Sequence, residues 1–190
     1  MTSPRIVVYT AITGGHDPMR NDIPVFTDML HFGSPALAAR FYKTSPHILF
    51  PDADWTIWVD GNVFLNKTPQ ELVGMCKHEI GVLKHAHRDC IYAEAAICKE
   101  NNLDDARHIE RAVSRYRWQL GIPEHYGLSM NMLIIRKNTQ QINMRNQSWW
   151  QEICYGSIRD QISFPAVFDP SMYMPTVDFT QPNELFTRVI

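Results

Sequence analysis

Trp55-Thr56-Ile57-Trp58-Val59 is an apolar run of strand length that stops on Asp60-Gly61-Asn62. A strand with no polar face must be covered on both sides. The run therefore calls for a sheet with helices on each face, and such a sheet delivers the last residues of its strands to the crevice where ligands bind. The Asp60 carboxylate and Asn62 amide are hard oxygen ligands suited to Mg²⁺ or Mn²⁺ carrying a diphosphate, and Gly61 lets the backbone turn sharply between them. An ordinary Asp-Gly-Asn turn has the same residues, so the remainder of the chain must decide.

Elements alternate along the sequence. Arg5 to Ile12, Pro24 to Asp28, Glu79 to Ala86 and Leu128 to Ile135 read as further strands. Helices are expected from Ser34-Pro35 to Tyr42, from Thr68-Pro69-Gln70-Glu71 to about Lys77, and over Ile91 to Glu100, Asp104 to Leu120 and Asn143 to Tyr155, with another starting near Arg159. The first two carry a serine cap and a capping box, each with proline just inside. The expected fold is a single α/β domain over residues 1–190, a mixed Rossmann-like sheet with helices on both faces. After Phe164 only a short helix and a polar tail are expected.

Composition narrows the function classes. The 190 residues carry 18 basic and 20 acidic side chains, with no long run of either sign. Binding to nucleic acid or a membrane surface through bulk charge is therefore not expected. No apolar stretch is long enough to span a bilayer, and Met1 runs into a strand pattern without a basic-then-apolar leader. Cys76, Cys90, Cys98 and Cys154 form no zinc-like spacing and read as buried thiols in a reducing compartment. A cytoplasmic protein is expected, and a small sheet with exposed edges is compatible with a homodimer.

Polar constellations fall at the ends of the predicted strands. Tyr9-Thr10-Ala11-Ile12 enters a Gly14-Gly15 turn with Asp17, whose amides suit a phosphate or a base edge. Arg40 and Lys43, three residues apart on one helical face, suit a diphosphate. His85 and His87 share a face if they lie on a strand, where imidazoles bind metal or pair with phosphate. Glu94 follows on the next helix, and Asp160 in Arg159-Asp160-Gln161-Ile162-Ser163-Phe164 either caps a helix or faces the crevice as a base. Trp149 and Trp150 point about 100° apart on a helix, so at most one faces the core and the other is left for an acceptor or a partner.

These pieces together resemble the TOD/MUCI glycosyltransferase-like family. The resemblance runs from about Val8 to Phe164, through Tyr9 to Asp17, Arg40 with Lys43 and Pro46-His47, Ile57 to Asn62, His87-Arg88-Asp89-Cys90-Ile91-Tyr92 with Glu94, Tyr126-Gly127-Leu128 and Arg159 to Phe164. It implies a GT-A type fold and transfer of a sugar from a nucleotide-diphosphate donor to a hydroxyl of a glycan or other acceptor, with Mn²⁺ or Mg²⁺ on the diphosphate. By that analogy Asp60 and Asn62 stand for the metal-binding Asp-x-Asp. Tyr9, Thr10, Ala11 and Asp28 meet the nucleoside, Arg40 and Lys43 meet the diphosphate or the sugar, and Asp160 with Gln161 lies near the transferred sugar. Asn62 departs from the pattern by replacing an acidic residue, so the cation would lean on the donor or on His85 and His87.

Inversion at the sugar carbon needs a carboxylate to deprotonate the acceptor, with Asp160 the first candidate and Glu94 the second. Retention would leave Asp160 to position the sugar. Two further readings stay open at this level: a nucleotide-sugar-binding or assembly protein without turnover, and a metal-dependent phosphoesterase built on Asp60, His85 and His87.

Overall fold

The computed structural model describes residues 3–15, 17–29, 31–177 and 180–189. Its main sheet is built from β1 (Ile6–Ala11), β2 (Val25–Phe26), β3 (Trp55–Val59), β5 (Ile80–Lys84) and β6 (Ser129–Lys137), in the order β2-β1-β3-β6-β5. β2, β1 and β3 run parallel, whereas β6 is antiparallel to both β3 and β5. The C-terminal ends of β1, β3 and β5 and the first residues of β6 therefore share one edge. A two-stranded ribbon pairs β4 (Val63–Leu65) with β7 (Phe186–Arg188), so part of the expected polar tail is a strand with Leu185 and Phe186 buried.

The helices are α1 (Pro35–Thr44), α2 (Pro46–Leu49), α3 (Pro69–Met75), α4 (Ile91–Glu100), α5 (Ala106–Trp118), α6 (Gln140–Tyr155) and α7 (Asp160–Ser163). Local chemistry sets their starts. Ser34 accepts the Leu37 N–H, Thr68 and Glu71 close the capping box, and Thr139 accepts the Ile142 N–H. The Thr139 cap begins α6 before Asn143, the residue at which apolar periodicity becomes visible. Pro46 does not end the helical path after α1, because proline at a first helical position starts α2.

Both sheet faces are covered. Tyr9, Trp58, Val82 and Ile134 pack on one side against Tyr42, Ile142 and Trp149, and Ile57, Leu83, Leu133 and Ile135 pack on the other against Leu72 and Phe186. α4 and α5 form a third cluster with Ile162, in which α5 buries Ile109, Ala112 and Tyr116 at helical spacing. Trp149 is buried and donates to Ser163 Oγ, and the Trp150 ring packs on Phe32 and Phe41. Trp150 thus closes an aromatic seam between α1 and α6 while staying partly exposed. Cys154 is exposed and Cys76 half-buried, which corrects the expectation of buried thiols for those two. Among the described residues no helix is long and apolar enough to cross a membrane.

Arg136 is enclosed in the first of these cores. Its guanidinium donates to Asn146 Oδ1 (3.1 Å), to the Tyr9 hydroxyl (3.0 Å) and to the Lys43 carbonyl (2.8 Å), with no carboxylate partner among the described residues. Burial lowers the pKa of this guanidinium, and burial likewise pushes the Tyr9 phenol up to about 12.

Candidate active site

Parallel strands ending on one edge place Ala11, Asp60 and His85 in a row, and the start of β6 adds Ser129 to Asn131 between the last two. A cavity of about 470 Å³ opens at the β1 and β3 end of this row. Ala11, Thr13, Asp17, Asp60, Gly61 and Asn62 line it, with Ser34 and Pro35 from the start of α1. The first amides of α1 thus border a space able to take an anion. Arg40 and Asp60 also line an adjoining recess with Lys43, Asn131, Asp160 and Gln161.

Lys43 is the centre of that recess. Its ammonium is almost fully buried, 2.8 Å from Asp160 Oδ2 and 3.1 Å from Asp60 Oδ1, and it lies over the Trp58 ring at 5.4 Å. Arg40 approaches the other Asp160 oxygen at 3.5 Å and donates through Nε to the Ile158 carbonyl at 3.0 Å. Trp58 Nε1 also donates to Asp60 Oδ1 at 2.9 Å. Gln161 donates to the Ser129 carbonyl at 2.9 Å and holds α7 to β6. Burial alone would raise the Asp160 pKa. The charges of Arg40 and Lys43 outweigh it and hold the carboxyl well below the usual range. Two cations on one carboxylate lower its basicity in the ligand-free protein.

Gly61 is required by close approach. A Cβ there would stand 2.6 Å from Asp17 Oδ2 and 3.0 Å from Ile12 Cγ1. Arg20 pins the same loop, donating to the Val63 carbonyl while paired with Asp22. Asp17, Asp60 and Asn62 therefore surround a bare backbone turn. Gly61→Ala is expected to cost about 1–3 kcal/mol through overpacking, with a matching fall in the midpoint of thermal unfolding.

Several expected site residues lie elsewhere. Tyr9 and Thr10 are fully buried, the former against Tyr42 and Arg136, so of that motif only Ala11 reaches the cavity. Asp28 is exposed beyond β2 and is not among the cavity residues. β5 ends at Lys84, so His85 and His87 stand in a turn rather than on one face of a strand. His85 lines a third cavity, apart from Asp60 and Asn62. Glu94 is buried on α4, bound to Arg88 Nε at 2.6 Å and contacted by Cys98, and it is not among the residues lining the large cavity or its recess. His16 of the glycine turn lies outside the described residues.

Arg188 lines the large cavity and is a candidate that sequence reasoning missed. It comes from β7, which the ribbon with β4 carries to the rim of the large cavity, and its side chain is exposed. A polar tail gives no pattern that reveals such a partner.

The parallel β2-β1-β3 half joined to an antiparallel β6 is part of a fold that solved structures share. Solved structures with this fold include one described as the WbbM bifunctional glycosyltransferase in its apo form, with TM-score 0.55, 10% identity and coverage of 96% of this chain and 40% of that one. Another is a glycosyltransferase involved in glycosylation of the major capsid of PBCV-1, with TM-score 0.53, 10% identity and coverage of 98% and 93%. The chain thus spans well under half of the first and nearly all of the second. Residues 25–182 match the family model described as TOD1/MUCI70, glycosyltransferase-like domain, and the chain belongs to that family. No curated protein matches it.

Proposed function

We propose that this chain transfers a sugar from a nucleotide-diphosphate donor to a hydroxyl acceptor. The observation that carries this reading is the buried Lys43 held between Asp60 and Asp160 where the large cavity meets its neighbouring recess. The nucleotide occupies the cavity beside Ala11 and the start of α1, the diphosphate lies along Asp60 and Arg188, and the sugar reaches the recess of Asp160 and Gln161.

Among the described residues no three of histidine, cysteine, aspartate and glutamate gather into a metal site. Two carboxylates and an amide around Gly61 nonetheless suit Mg²⁺ or Mn²⁺, which commonly take one or two carboxylates and complete their shell with water and substrate phosphates. Asp17, Asp60 and Asn62 would hold such a cation, which when bound neutralises charge on the leaving diphosphate. The chain's own contribution begins with Lys43, a cation fixed near the position where that charge grows. Arg40 and Lys43 keep Asp160 ionised, so its carboxylate orients the sugar and favours positive charge at the sugar carbon.

A thermal-shift panel of nucleotide diphosphates and their sugars, with and without Mn²⁺, tests this. Wild type is expected to rise with one base, the rise following the logarithm of ligand concentration over Kd. Asp60→Ala is expected to lose the metal-dependent part, and Arg188→Ala to weaken donor binding roughly tenfold, about the value of one charge-assisted contact. Donor binding without turnover on any acceptor would favour a binding or assembly protein. The absence of any shift across the panel would sink the donor assignment.

A further inference from the structure

Charges compete at the Gly61 turn. Lys43 Nζ lies 3.1 Å from Asp60 Oδ1, on the very carboxylate that a divalent cation would have to share. Trp58 Nε1 donates to the same oxygen at 2.9 Å. The two members of the ion pair differ in how they meet solvent. The Asp60 side chain is 39% exposed and within reach of an arriving ion, whereas that of Lys43 is 2% exposed.

The ammonium is held in place. Asp160 Oδ2 binds it at 2.8 Å, the Trp58 ring lies 5.4 Å away, and the backbone that carries it is bound through its carbonyl to Arg136 at 2.8 Å. A cation ligated by Asp60 would therefore face a fixed positive charge on the same carboxylate, where burial leaves little screening between the two.

The neighbouring groups do not offset that charge. Asp160 is shared with Arg40, which approaches it at 3.5 Å. Arg20, paired with Asp22, donates to the carbonyls of Gly61 and Val63. Arg188 stands on the rim of the large cavity, and Arg159 lines the recess. Asp17 brings one more carboxylate, but Asn62 brings an oxygen without charge. Four carboxylates are thus set against five cationic side chains, and no surplus negative charge is left to draw in a divalent ion. A diphosphate supplies what is missing, because its oxygens carry several negative charges and can bind the cation and the ammonium together.

We infer that Lys43 makes the cation site conditional on the diphosphate, so that the free protein holds Mn²⁺ or Mg²⁺ weakly and binds it firmly only together with the nucleotide diphosphate. This conditional site deepens the transferase reading and rests on it for the identity of the donor. The coupling is reciprocal, so the cation strengthens diphosphate binding by the same factor.

Electron paramagnetic resonance of free Mn²⁺ measures the affinity on the full chain, alone and with each nucleotide diphosphate of the panel or inorganic pyrophosphate, corrected for the Mn²⁺ that each ligand takes up in solution. Wild type is expected to bind Mn²⁺ at least tenfold more tightly with one of these diphosphates than without. Lys43→Met is expected to bind Mn²⁺ alone at least fivefold more tightly than wild type and to lose most of the coupling. Lys43→Arg, which keeps the charge, is expected to keep the coupling. A purely structural role for Lys43 predicts the opposite for the methionine variant, namely weaker Mn²⁺ binding with and without diphosphate. Asn62→Asp, on a half-buried turn, adds the missing charge outside the core and decides the matter if Lys43→Met fails to fold. Its affinity for Mn²⁺ alone is expected to rise at least tenfold and its coupling to fall. Equal Mn²⁺ affinity in wild type with and without diphosphate, a folded Lys43→Met that binds Mn²⁺ alone no better than wild type, or unchanged coupling in Asn62→Asp would overturn the inference. Nucleotide diphosphates that bind without this coupling remove the conditional site and leave the transferase reading. Coupling to pyrophosphate with no nucleotide bound removes the donor reading and leaves the conditional site.

Discussion

Lys43→Met is expected to lower turnover a hundred- to a thousandfold, roughly the loss seen when one preorganised donor to developing charge is removed. It is also expected to cost about 3 kcal/mol of stability, the lower end of the range for breaking a buried ion pair, because Arg40 still reaches Asp160. Urea unfolding and steady-state rates measure the two separately. Acid dependence gives a further check. Asp160 has a depressed pKa in the folded protein, so its stabilisation is complete above the unfolded carboxyl value near 4 and fades as pH falls through the folded value. In Lys43→Met the folded value rises and that stabilisation shrinks. Asp160→Asn removes this acid-linked loss altogether. A double variant as costly as the sum of the two singles would show that the residues are not coupled.

Arg136→Ala is expected to destabilise the protein by about 3–5 kcal/mol, since it opens a cavity in a closed core and releases three oxygen acceptors at once. Denaturant midpoints against an unchanged slope would measure this. A second effect should accompany it. Arg136 grips the carbonyl of Lys43, so even a variant that folds is expected to transfer more slowly with donor affinity little altered. Full activity in a folded Arg136→Ala protein would show that Lys43 is held by its side-chain partners alone.

Much of the architecture was legible in local chemistry. The Ser34 cap, the Thr68 capping box and the apolar run ending at Asp60 each specify their element from neighbouring residues, and each stands as read. The motif at Tyr9 shows the limit. On a strand covered on both faces, sequence alternation does not say which side chains reach the rim, and Tyr9 and Thr10 face protein on opposite sides. His85 and His87 were misplaced because strand pattern continues to Ala86 in sequence, whereas the β5 ladder ends at Lys84 beyond a register shift between Val82 and Leu83. Arg188 and the Glu94–Arg88 pair were beyond reach for another reason. Their roles depend on which segments meet across the fold, and no local spacing encodes the pairing of β7 with β4 or the inward face of α4.

The guanidinium in the core bears on how the site meets its ligand. Arg136 joins β1 through Tyr9, α1 through the Lys43 carbonyl and α6 through Asn146, so three elements share one knot at the backbone that carries Lys43. A surface lysine must shed water and give up rotamer freedom each time an anion arrives. Here those losses belong to folding, and an anion reaching this site would find a charge whose surroundings need almost no reorganisation.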